Sequence, residues 1–85
     1  MPKKLHASIF KVFGNRERVQ LLVCLAKTQS VTELLEKCTL SQSALSQHLK
    51  VLKEADLVTC ARDGKKQMYS IKDEEMLRIA QILLS

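Results

Sequence analysis

The sequence predicts a mainly α-helical single domain carrying one small β-hairpin, and three observations predict it. The chain has 85 residues, enough for one core and no more. Over most of its length apolar residues recur three and four positions apart, the period of helices packed on a core. After Asp56 the period drops to two on either side of Asp63-Gly64, a pair that favours a tight hairpin turn.

Composition narrows the class further. With 46% hydrophobic residues the chain is too apolar for a disordered segment. Phe10, Phe13 and Tyr69 are its only aromatics, so the core must be aliphatic. A domain this short buries only a little over ~60% of its unfolded surface, and dimerisation is the usual way to complete such a core. Fourteen Lys and Arg against nine Asp and Glu give a net charge of +5, which favours a polyanionic partner. Lys3, Lys4 and His6 stand where a secretory leader needs apolar residues, and no stretch approaches the ~20 residues of a membrane span. Three cysteines, an odd number, make no disulfide framework. The expected compartment is the cytoplasm, with thiols reduced.

Taken in order, Leu5, Ile9, Val12 and Phe13 share one helical face and stop at Gly14, giving a first helix over 3–13. Asn15 can cap a second helix with Val19, Leu22, Val23 and Ala26 on one face and Leu21 and Leu25 beside it, which makes that helix central. Ser30-Val31-Thr32-Glu33 is a capping box, opening a short third helix through Leu34 and Leu35 to about Cys38. Thr39-Leu40 is a tight break. Ser41 then caps a fourth helix from Gln42 to Ala55, with Leu45, Leu49 and Leu52 inward. Strands over 58–62 and 67–71 flank a basic turn, Asp63-Gly64-Lys65-Lys66. Lys72-Asp73 starts a last helix over 73–84, where Met76, Leu77, Ile79, Ala80, Ile82, Leu83 and Leu84 cover most of the surface. The first and last helices carry more apolar surface than one small core absorbs. A dimer interface accounts for it; packing of the two helices within one chain is the alternative.

The stretch 31–55 has the geometry of a helix-turn-helix, and 58–71 that of a wing. The outward face of the second helix of the pair carries Gln42, Ser43, Ser46, Gln47 and Lys50, with His48 on its flank, and no acid before Glu54. Amides can pair with adenine, hydroxyls with bases or phosphates, and lysine with guanine or phosphate. The helix start at Ser41 offers amides to a phosphate. A merely solvated face mixes Glu with Lys, and this one does not. Arg62, Lys65 and Lys66 make a basic hairpin tip suited to the minor groove or the flanking backbone. The expected partner is double-stranded DNA.

The run from Leu40 through Ser41-Gln42-Ser43-Ala44-Leu45-Ser46-Gln47-His48-Leu49-Lys50 to Leu57-Val58 resembles the recognition-helix signature of the ArsR/SmtB family of bacterial repressors. The resemblance extends to Asn15 with Arg18, to Val31-Thr32-Glu33-Leu34 and to Tyr69. It implies a winged helix-turn-helix homodimer, joined through its first and last helices. Such a dimer represses at an imperfect palindrome and leaves DNA when an inducer binds. It also implies groove contacts from Ser43, Ser46, Gln47 and His48. The Asp56 position is usually glycine in that family.

The family's metal sites are not expected here. One uses a Cys-x-Cys pair at the start of the third helix, where this chain has Ser30 and Thr32, whose hydroxyls cannot replace thiolates. The other needs Asp and His on the last helix, which here offers Asp73, Glu74 and Glu75 but no His. The helix dipole suffices to explain those acids. Neither a metal nor a cofactor is expected, and the inducer is left unidentified. Cys24, on an apolar helix, reads as a small hydrophobe. Some relatives pair thiols of the second and last helices, but this last helix has no Cys. Cys38 and Cys60 are then the candidate redox thiols, with Cys24 the third. For His6 and His48, far apart in sequence, solvation or DNA contact accounts better than metal ligation. No phosphate loop, His-Glu-x-x-His or nucleophile–base pair is present, so the chain reads as a non-enzyme. The competing function is a winged-helix protein-interaction module without sequence-specific DNA binding.

Overall fold

The computed structural model describes residues 11–85. The expected first helix therefore lies outside the described residues apart from 11–13, which are helical, and the readings of Lys3, Lys4, Leu5, His6, Ile9 and Phe10 lie outside them too. The elements that follow are α1 (Arg16–Cys24), β1 (Gln29–Ser30), α2 (Val31–Lys37), α3 (Gln42–Glu54), β2 (Val58–Asp63), β3 (Lys66–Ile71) and α4 (Glu74–Leu84).

Each helix starts where a short polar side chain can take an orphan backbone N–H. Asn15 Oδ1 accepts from the Arg18 amide at 3.1 Å, and Ser41 Oγ accepts from the Ala44 amide at 3.1 Å. Asp73 Oδ1 accepts from the Met76 amide at 3.2 Å. The capping box closes in both directions: the Glu33 amide donates to Ser30 Oγ at 3.1 Å, and the Ser30 amide donates to Glu33 Oε1 at 2.8 Å.

The core is aliphatic, as the composition requires. Val12, Leu21, Leu22, Leu34, Leu45 and Leu52 are sealed from solvent, with Leu49, Leu57 and Val58 nearly so. α1 is central and packs on both α3 and α4. It ends sooner than its apolar face suggested. Leu25 caps it, and Ala26, expected on the inner face, is exposed because the chain leaves the helix there to run β1 beside β3.

The exit from α3 is a Schellman motif. The Asp56 amide donates to the Lys53 carbonyl at 3.0 Å and the Leu57 amide to the Leu52 carbonyl at 3.1 Å. This geometry puts Asp56 at φ 64°, the left-handed region that favours glycine. Asp tolerates it better than most residues, and its carboxylate meets Lys72 Nζ at 2.6 Å.

The hairpin forms as expected, with Cys60 opposite Tyr69 and Asp63 opposite Lys66. Only Gly64-Lys65 lie between the strands, and Gly64 has φ +64°, the first-position glycine of a type II′ turn. One strand was not expected. β1 pairs with β3, Gln29 opposite Tyr69 and Ser30 opposite Met68, so the sheet has three strands in the order β1-β3-β2. Two residues cannot display a period of two. β1 exists because β3 would otherwise present an unpaired backbone edge against the protein. None of the helices among the described residues is long and apolar enough to cross a membrane.

Candidate nucleic-acid interface

The inner stripe of α3 is Leu45, His48, Leu49 and Leu52, at the spacing that keeps side chains on one helical face. That stripe fixes the opposite face. Gln42, Ser43, Ser46, Gln47 and Lys50 are all exposed, as the sequence required of a reading surface. Ser41 uses its oxygen as the helix cap, and its hydroxyl proton remains able to donate. Leu34 of α2 is sealed in the same core as the inner stripe of α3, with Cys38 capping α2 and residues 39–41 forming the turn.

His48 departs from expectation. Read as a groove contact on the flank of the helix, it is only 8% exposed and belongs to the buried stripe. Its Nδ1 lies 3.3 Å from Arg18 Nη1 and its Nε2 lies 3.4 Å from Glu17 Oε1. The spacing could have shown this, since His48 falls three residues after Leu45 and four before Leu52.

The wing follows from the pleat. Val58, Cys60 and Arg62 share one face of β2, and their partners on β3 are Ile71, Tyr69 and Gln67. Along that face burial falls away, from Val58 in the core through half-buried Cys60 and Tyr69 to exposed Arg62 and Gln67. The same side of the ribbon that anchors in the core thus emerges as a polar, basic surface at its far end. There it meets α3 across an open cleft of about 350 Å³.

This cleft unites Gln42 and Ser46 of the helix with Arg62, Lys65 and Lys66 of the wing. Ser43, Gln47 and Lys50 lie on the exposed face of α3 outside the cleft lining. Six lining residues lay outside the expected site, Gln67, Tyr69 and Thr32 among them. Gln67 was legible, because it sits opposite Arg62 once the hairpin register is drawn. Tyr69 was legible in the same way, opposite Cys60 on that face, whereas Thr32 was not, because the β1–β3 pairing brings the first turn of α2 to the wing and nothing local encodes that pairing. One acid beside this surface is Glu33, whose carboxyl is held below its usual range by the Ser30 amide and hydroxyl, with Lys66 and Lys37 adding to the effect.

The thiols separate into two environments. Burial first, and then the neighbouring Cys24 thiol, pushes the Cys38 thiol up from its ordinary range. Gln29 ties the same corner together: its Nε2 donates to the Cys24 carbonyl at 3.0 Å, and its Oε1 accepts from Lys37 Nζ at 3.0 Å. Cys60 instead lies against the Tyr69 hydroxyl, whose titration is raised by burial and by that contact. All three thiols are free and half-buried. Cys24 packs on the core as a small hydrophobe would, and it also has a thiol partner.

What this surface can do chemically is limited and clear. It offers amides, hydroxyls and fixed positive charge on a convex helix and a projecting ribbon. Residues 15–59 match the family model described as "Bacterial regulatory protein, arsR family". The chain is 34% identical over 84 residues to the arsenical resistance operon repressor of Staphylococcus xylosus, covering 98% of this chain and 81% of that protein. It is 34% identical over 76 residues to the transcriptional activator HlyU of Vibrio cholerae, covering 88% and 70%. Among solved structures, the transcriptional repressor BigR from Xylella fastidiosa superposes with a TM-score of 0.82 at 28% identity, over 91% of this chain and 80% of that one. Amide-rich helix, basic wing and matching sequence lead to one statement: this chain belongs to the ArsR family of DNA-binding winged helix-turn-helix transcriptional regulators, and it is not an enzyme.

Proposed function

We propose that the chain is a cytoplasmic homodimeric repressor, which presents two copies of α3 to successive major grooves of a palindromic operator while each wing holds the flanking backbone. The observation that carries this reading is the exposed face of α3. It runs from Gln42 to Lys50 without an acid and shares a cleft with the basic wing tip. Gln47 and Ser46 are the base readers, and Arg62, Lys65 and Lys66 neutralise phosphates. Ser41 and the amides behind it supply a further phosphate site.

Dimerisation is supported by α4. Its Leu77 and Ala80 are buried within the chain, while Ile79, Ile82 and Leu83 stand 42%, 67% and 58% exposed. An apolar group of that kind on a small domain is a contact surface awaiting a second copy. Both repressors and an activator occur among the named relatives. Repression is preferred because a short chain that occupies promoter DNA blocks polymerase by its presence alone.

Selection of duplexes from a random pool by the purified protein tests the reading. Enrichment of an inverted repeat with half-sites about one helical turn apart is the expected result. Failure to enrich any sequence at low salt would overturn it and favour a protein-interaction module instead.

A further inference from the structure

Leucines alone do not fix the angle of a reading helix. Leu45, Leu49 and Leu52 seat α3 on the core, but apolar contact is non-directional and tolerates small rotations about the helix axis. A helix with side chains has a radius of about 5–6 Å, so a turn of about 10° carries a side-chain tip by roughly 1 Å. That displacement is enough to spoil a hydrogen bond to a base edge.

His48 supplies the missing direction. The Arg18 guanidinium only donates, so with Nη1 at 3.3 Å the Nδ1 of His48 must carry the lone pair. The ring proton therefore sits on Nε2, which faces Glu17 Oε1 at 3.4 Å. Both partners are consecutive residues in the first turn of α1. Arg18 is itself held: its amide donates to the Asn15 cap, and its Nη2 donates to the Lys11 carbonyl at 3.2 Å. One imidazole in one tautomer thus meets the start of α1 at both nitrogens, hydrogen-bonded at Nδ1 and within ion-pair distance at Nε2, in the middle of α3 and beside Gln47.

We propose that His48 is a positioning residue that sets the rotation of α3, and through it the aim of Ser46 and Gln47 at base edges. The inference rests on the DNA-reading function of α3. A residue that merely fills the core would affect stability. A residue that aims the helix affects discrimination between sequences.

The test compares binding to the selected operator and to random duplex for wild type, His48→Leu, His48→Gln and Glu17→Ala. Leucine keeps the packing and loses both polar contacts. It is expected to lower operator affinity roughly tenfold while leaving random-duplex affinity unchanged. Glutamine can accept from Arg18 through Oε1 and donate to Glu17 through Nε2, and is expected to recover most of the loss. Glu17→Ala alters a half-exposed side chain outside the core, so it keeps the test decisive if His48→Leu does not fold; it is expected to reduce the operator-to-random ratio by about threefold. An unchanged ratio in His48→Leu, or, where that variant does not fold, in Glu17→Ala, would overturn the role. So would equal impairment of the Leu and Gln variants. If wild type itself shows no operator preference, the DNA-reading function fails and this role with it.

Discussion

Gln47 stands on the exposed side of α3 among neutral hydroxyls and one lysine, where its amide is free to make paired hydrogen bonds to a base. Gln47→Ala is expected to cost roughly 1–3 kcal/mol on the operator and almost nothing on random duplex. Equal losses on both, measured by titration at fixed salt, would remove it from base readout. Asp56 makes a different kind of claim. At φ 64° its Cβ is strained, and an alanine there lacks the short carboxylate that makes the conformation tolerable. Asp56→Ala should lower unfolding free energy by about 1 kcal/mol in chemical denaturation, and Asp56→Gly should match or exceed wild type. The ion pair with Lys72 does not reverse that order, because both side chains are more than half exposed. These residues also show how far local pattern reaches. At position 56 the resemblance gave only the family's usual glycine, and the left-handed exit itself was not read from the sequence. At His48, by contrast, side-chain chemistry points to the groove while the spacing points to the core, and the spacing prevails.

At the scale of elements, what was legible was whatever a short stretch encodes for itself. The caps at Asn15, Ser30, Ser41 and Asp73 and the hairpin around Gly64 need only a few neighbours in sequence, and they form as read. β1 was missed because its cause is β3, about forty residues later in the chain. The cleft inherited the same gap, so Thr32 was absent from the expected site. The wing itself yields a clean expectation. Replacing Lys65 and Lys66 with Ala should weaken binding to every duplex alike. The log–log salt slope should also flatten, by about 0.9 for each phosphate that is no longer neutralised. An unaltered slope would show that the ribbon does not touch the backbone.

On the scale of the whole molecule, the buried faces of α1 and α4 close one core, and the exposed apolar side of α4 is the face proposed to meet a second copy. Ile82 is 67% exposed, so a charge there should leave the monomer folded. Ile82→Glu is expected to sediment as a monomer at concentrations where wild type is dimeric, and to lose cooperative binding to the full operator. A variant that stays dimeric would place the interface elsewhere.

Because β1 is hydrogen-bonded to β3 and runs directly into α2, and β2 packs against the reading helix α3, the ribbon is tied to both helices of the pair. The gap between ribbon and reading helix is therefore a fixed gauge. A duplex whose groove does not suit that gauge must be bent or twisted to fit, and some steps yield more easily than others. Under the proposed function, part of the operator's identity would then reside in the stiffness of base pairs that no side chain reaches.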